Sequence, residues 1–74
     1  MSIEFSEHVL EQIKARKISK KLILATVKKP ENKFKSFKMR RLRQRSFGSK
    51  MLEVVTVTEG PKITIITAYY LEEK

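Results

Sequence analysis

Arg40, Arg41, Arg43 and Arg45 crowd into a run from Lys35 to Lys50 that reads KSFKMRRLRQRSFGSK. Lys35, Lys38 and Lys50 raise its cations to seven, with no acid between Glu31 and Glu53. A guanidinium is flat, permanently charged and able to grip two phosphate oxygens at once, so this run suits a polyanion backbone. Phe37, Met39, Leu42 and Phe47 are threaded through the cations, anchors that a disordered basic tail does not need.

Outside the run, His8, Arg16 and the pair Tyr69–Tyr70 could take part in chemistry. As a general base His8 needs a proton to abstract and a partner to fix its tautomer; it serves equally as a surface or half-buried structural histidine. Arg16 falls at a helix end, where it either compensates the helix dipole or turns toward the basic run. Successive strand residues project to opposite faces, so only one tyrosine shares a face with the arginines. That tyrosine is a core or rim aromatic, or it supplies a phenol or a stacking surface beside them. There is no Gly-rich phosphate loop, no nucleophile triad and no paired carboxylate near the basic run. One histidine and no cysteine offer no ligand set for a metal, and no cofactor is expected. With so few acid–base groups the accessible reaction is RNA cleavage, in which the RNA's own 2′-hydroxyl attacks the adjacent phosphate. The protein then supplies cations and modest proton transfer. DNA lacks that hydroxyl and calls for a metal or a covalent nucleophile.

The elements that must position these groups follow from periodicity. Ile3-Glu4-Phe5 alternates as a short first strand. Ser6 sits at an N-cap with Glu7 in the first turn, and Val9, Leu10 and Ile13 share one side of a helix over Glu7 to Arg16. Ser19 caps a second helix from Lys20 to about Lys29, with Leu22, Ile23, Thr26 and Val27 inward and Ile18 as a staple before the cap. Pro30 stops it. The period then becomes two. One basic strand is expected to run to Phe47, with Phe37, Met39, Arg41, Arg43, Arg45 and Phe47 on one face and Lys38, Arg40, Leu42, Gln44 and Ser46 on the other. Gly48-Ser49 turns into a strand over Met51 to Thr58, and Glu59 to Lys62 turns into the most apolar strand, Ile63 to Tyr70, expected at the sheet centre. These elements predict an α+β domain over 1–74, two N-terminal helices on a three- to four-stranded antiparallel sheet.

The chain has 74 residues, enough for one core, and a net charge of +9 from seventeen basic and eight acidic residues. Such a balance points to RNA, DNA or an acidic protein as partner, or simply to a lysine-rich surface that favours solubility. So small a core also invites a homodimer or a partner chain. No apolar run approaches the ~18 residues of a membrane span and no signal-peptide pattern opens the chain, so no membrane association and a cytoplasmic location are expected.

FSEHVLEQIKARKIS (Phe5 to Ser19), a helix ending at Pro30, an arginine-bearing strand, LEVVTV (Leu52 to Val57) and IITAYY (Ile65 to Tyr70) together resemble a family of small bacterial and archaeal proteins catalogued as a domain of unknown function. That family is similar to the RelE/ParE toxins, near the BrnT type. Its pattern opens with a histidine and arginines one and two turns later, then Gly-Ile-Ser; His8, Arg16, Ile18 and Ser19 match, while Gln12 replaces the first arginine and Lys17 the glycine. Arg41, or its neighbour Arg40, matches the strand arginine, and Thr67 and Tyr69 match a closing T-x-Y.

The resemblance implies the toxin of a type II toxin–antitoxin system, partnered by a cognate acidic antitoxin and cutting RNA, including ribosome-bound mRNA, as a metal-independent endoribonuclease. Arg41, Arg43 and Arg16 would then hold the scissile phosphate, and Tyr69 or His8 would orient or move a proton. The alternative is a non-catalytic module that binds nucleic acid or an acidic protein through Lys35, Lys38, Arg40, Arg41, Arg43, Arg45 and Lys50. Under either, the four arginines should be replaceable by glutamine without loss of the fold.

Overall fold

The computed structural model describes residues 2–71. The elements run β1 (Ser2–Phe5), α1 (Glu7–Arg16), α2 (Lys20–Lys28), β2 (Asn32–Lys35), a 3₁₀ turn (Phe37–Met39), β3 (Arg40–Phe47), β4 (Lys50–Glu59) and β5 (Lys62–Leu71). The fold is α+β, with two helices packed on one sheet of five strands in the order β1-β5-β4-β3-β2. The expected three- to four-stranded antiparallel sheet is therefore corrected in two respects. β1 adds a parallel partner to β5 (Ser2 opposite Lys62, Phe5 opposite Ile65), and β2 adds an antiparallel edge beyond β3. β4, rather than the strand of Ile63 to Tyr70, is the middle strand.

Both helices begin as their sequences dictate. The Ser6 hydroxyl accepts from the Val9 amide at 3.1 Å, satisfying one orphan donor of the first turn. Ser19 occupies the second N-cap without a side-chain hydrogen bond. Lys17 takes a left-handed conformation, φ 55°, at the C-cap of α1, the place where glycine is usual. Each hairpin turns on a two-residue loop led by a glycine at positive φ, Gly48 (66°) and Gly60 (58°), as a II′ turn requires. Val9, Ile23 and Val27 of the helices and Ile18 of the link between them meet Leu52, Val54, Ile63, Ile65 and Ala68 of the sheet in one core, closed by the partly buried Ile3, Phe5 and Tyr70.

Two irregularities decide which side chains share a face. The single basic strand expected up to Phe47 is broken. Lys38 and Met39 both adopt positive φ, 52° and 63°, so Phe37 and Met39 leave the sheet and stand in solvent while alternation restarts at Arg40. In the β4–β5 pair, Val55 faces Thr67 but Thr56 faces Ile65. Ile66 is thus the extra residue of a bulge, and side-chain parity reverses across it. Ile63 and Ile65 point to the helices; Thr67 and Tyr69 point to the uncovered face.

Candidate nucleic-acid interface

Cross-strand partners share a face, so register assigns every arginine of β3. Arg41, Arg43 and Arg45 lie opposite Thr56, Val54 and Leu52, beneath the helices. Arg43 is only 8% exposed; its Nη1 donates to the Val27 carbonyl at 2.7 Å and its Nε to the Thr56 hydroxyl at 3.2 Å. Arg45 Nη1 donates to the Ala25 carbonyl at 3.4 Å. Both carbonyls belong to the last turn of α2, whose negative dipole end attracts cations; the Ala25 carbonyl accepts from the Lys29 amide as well. Desolvation first, and the Arg41 charge second, push the Arg43 pKa below its ordinary value. Arg43 and Arg45 are thus C-terminal caps of α2 in addition to being charges. The expectation that all four arginines are dispensable to the fold fails at Arg43, because its guanidinium is enclosed and carries backbone bonds.

The open face holds a different set. Gln44, Glu53 and Tyr69 lie opposite one another on β3, β4 and β5. Gln44 Nε2 donates to Glu53 Oε1 at 2.6 Å, and the Tyr69 hydroxyl donates to Glu53 Oε2. Glu53 is 7% exposed, so these donors replace the water its carboxylate has lost. Burial first, then the bond to Glu53, push the Tyr69 phenol up to about 12. Tyr69 and Arg41 occupy opposite faces of the sheet, so no single phosphate lies between them as the sequence led us to expect.

One row along, roughly 7 Å away by strand geometry, Leu42, Val55 and Thr67 floor a cavity of about 540 Å³. Ser6 and His8 from the start of α1, Ser36 and Arg40 from the β2–β3 connection, and the bulged Ile66 complete its lining. The cavity therefore unites His8 with Arg40, two exposed side chains far apart in sequence, at the positive end of a helix dipole.

α1 continues from β1 along the half of β5 that β1 does not reach. Gln12 Oε1 accepts from the Ala68 amide at 3.2 Å and the Thr67 hydroxyl at 2.6 Å, while Arg16 Nη1 donates to the Ala68 carbonyl at 3.0 Å. One helical turn apart, the two side chains stand in for a missing neighbouring strand. Lys35 lies opposite Arg41 on the helix side of β2, Lys38 sits in the left-handed turn, and the Lys50 ammonium lies 5.2 Å above the Tyr70 ring. Among the described residues no group of three or more His, Asp or Glu side chains could hold a metal ion, and no helix is long and apolar enough to cross a membrane.

Sequence reasoning missed Glu53 and Gln12. The signal for the first was present: an acid inside the apolar stretch MLEVVTV must find donors or leave the strand. Gln12 carried no comparable signal, because its partners are the backbone amide of Ala68 and the hydroxyl of Thr67.

No curated protein and no solved structure matches the sequence. Residues 5–70 match the family model described as a domain of unknown function, DUF4258. The match takes in the start of α1, the β2–β3 connection and β5, the segments that enclose the cavity, and the chain accordingly belongs to the DUF4258 family.

Proposed function

We propose that this chain is a metal-independent RNA-cleaving protein, the toxin component of a type II toxin–antitoxin system, and that it works from the open face of its sheet. The observation that carries the reading is the shared cavity of His8 and Arg40. Arg40 and the N-terminus of α1 are suited to a phosphate. The Leu42, Val55 and Ile66 surface is suited to the apolar face of a base. In the reaction the RNA 2′-oxygen bonds to phosphorus as its proton passes to an imidazole nitrogen of His8. The phosphorus–5′-oxygen bond breaks, the 5′-oxygen takes a proton from water, and a 2′,3′-cyclic phosphate remains. Arg40 meets the charge that builds on the phosphoryl oxygens.

Cleavage of an RNA oligonucleotide in excess EDTA, with its all-2′-deoxy counterpart left intact, is the expected result. His8→Ala should slow it ~10²–10⁴-fold and Arg40→Ala ~10²–10³-fold, with growth inhibition relieved in parallel. RNA that stays whole with and without ribosomes refutes the reading. The second reading, a non-catalytic binding module, is favoured by the commitment of Tyr69 to Glu53 and of Arg43 to α2. It predicts salt-dependent RNA binding without cleavage, weakened by Arg40→Gln.

A further inference from the structure

Among the described residues the exposed large hydrophobic side chains are Phe34 (49%), Phe37 (77%) and Met39 (73%), and all three fall on β2 and the turn that follows it. β2 is an edge strand, four residues long, every one exposed. The Ser36 amide donates to the Arg40 carbonyl, and hydrogen-bonded pairs alternate along an antiparallel ladder. Phe34–Leu42 is therefore a bonded pair, and the amides and carbonyls of Lys33 and Lys35 point away from the sheet. The other edge differs: β1 turns Ile3 and Phe5 partly into the core and shows Ser2 and Glu4 to solvent.

We propose that the free edge of β2 receives an extended acidic segment of a partner protein as a sixth strand. Register sets the pattern of that segment. Lys33 and Lys35 share the helix side of the sheet with Arg43 and Arg41, whereas Phe34 shares the open side with Leu42. Directly opposite residues lie on the same face, so the incoming strand alternates acidic residues against the lysines with apolar residues against Phe34. Phe37 and Met39, held outward by two non-glycine left-handed residues in succession, Lys38 and Met39, extend the apolar contact past the strand end. A second copy of this chain does not fit. An antiparallel β2 pair centred on Phe34 sets Lys33 against Lys35 of the second copy twice, a repulsion. An RNA strand would answer the cations but not the alternating donors and acceptors of the edge. The inference rests on exposure, register and charge, and stands whether or not the cavity cleaves RNA.

The test uses the full chain, ¹⁵N-labelled, with the peptide acetyl-(Glu-Val)₄-amide as probe and amide hydrogen exchange as readout. At saturation, exchange at Lys33 and Lys35 should slow at least ~10-fold, the signature of new edge hydrogen bonds. Acetyl-(Lys-Val)₄-amide and the block peptide acetyl-Glu₄-Val₄-amide should give no such protection. K33E/K35E should reverse the preference in favour of the lysine peptide; the single K35E substitution makes the same comparison if the double variant fails to fold. Equal protection by the block peptide or by oligouridylate, protection confined to other strands, or self-association through β2 would overturn the proposal.

Discussion

Arg43→Gln separates a charge that holds the fold from a charge that meets a ligand. The substitution removes the bonds from Arg43 to the Val27 carbonyl and the Thr56 hydroxyl, and the shorter amide cannot span both acceptors. Hydrogen bonds from a charged donor are worth ~1.5–3 kcal/mol each, so the gross loss is about 3–6 kcal/mol. Part of that returns, because a cation that burial and Arg41 both disfavour is no longer enclosed. A net destabilisation of about 2–4 kcal/mol results, against a total of about 4–11 kcal/mol for a 74-residue domain. The melting temperature should drop by about 10–25 °C. Arg40, whose side chain is exposed, is the control: Arg40→Gln should move stability by no more than ~0.5 kcal/mol. Urea unfolding followed by circular dichroism measures both. RNA affinity supplies the reverse contrast, since loss of one phosphate contact flattens the salt slope by roughly 0.7–0.9, expected for Arg40→Gln and not for a still-folded Arg43→Gln. Equal stability of the two variants would refute the capping role of Arg43.

The raised Tyr69 phenol stabilises the fold below the ordinary pKa of 10.0, and that stabilisation is lost as pH climbs toward about 12; Tyr69→Phe should remove this alkaline loss, read from urea midpoints between those limits. Gln12→Ala leaves the Ala68 amide without its acceptor, which should cost ~1–3 kcal/mol and speed hydrogen exchange at that amide first. Ile65→Ala should cost ~2–5 kcal/mol by calorimetry, because Ile65 is fully buried. Ile66→Ala, at a half-buried position on the open face, should cost clearly less.

What the sequence disclosed was local. Ser6, Ser19, Pro30, Gly48 and Gly60 mark where backbone conformation must change, and periods of 3.6 and two fill the intervals, so both helices and both hairpins were legible. Parity was not. A period-two reading carries a face assignment forward until a residue steps out of register, and Lys38, Met39 and Ile66 do so without a glycine or proline to announce it. Hence Ile65 and Tyr69, nominally on one face, lie on two. The site was legible in its residue types but not in its grouping. His8 and Arg40 line one cavity only because β1 pairs in parallel with β5 and brings the start of α1 over the sheet, a juxtaposition that no local pattern encodes. Arg43 and Arg45, read as ligand charges, were claimed by the carbonyls of α2, whose position over β3 the sequence did not reveal.

The parallel pairing of β1 with β5 has a consequence during synthesis. Sixty residues separate Ser6 from Ile66, to whose carbonyl its hydroxyl donates. At ~5–20 residues per second about 3–12 s pass between the translation of the two strands. Through that interval α2, β3 and β4 can assemble, since they contact one another over short spans, but Ile3 and Phe5 have no strand to lie against. A chain cut short before Lys62 would carry them uncovered. Closure of the sheet thus reports that nearly all the described chain has been made, and the cavity, which needs both the start of α1 and the bulge of β5, cannot exist before then.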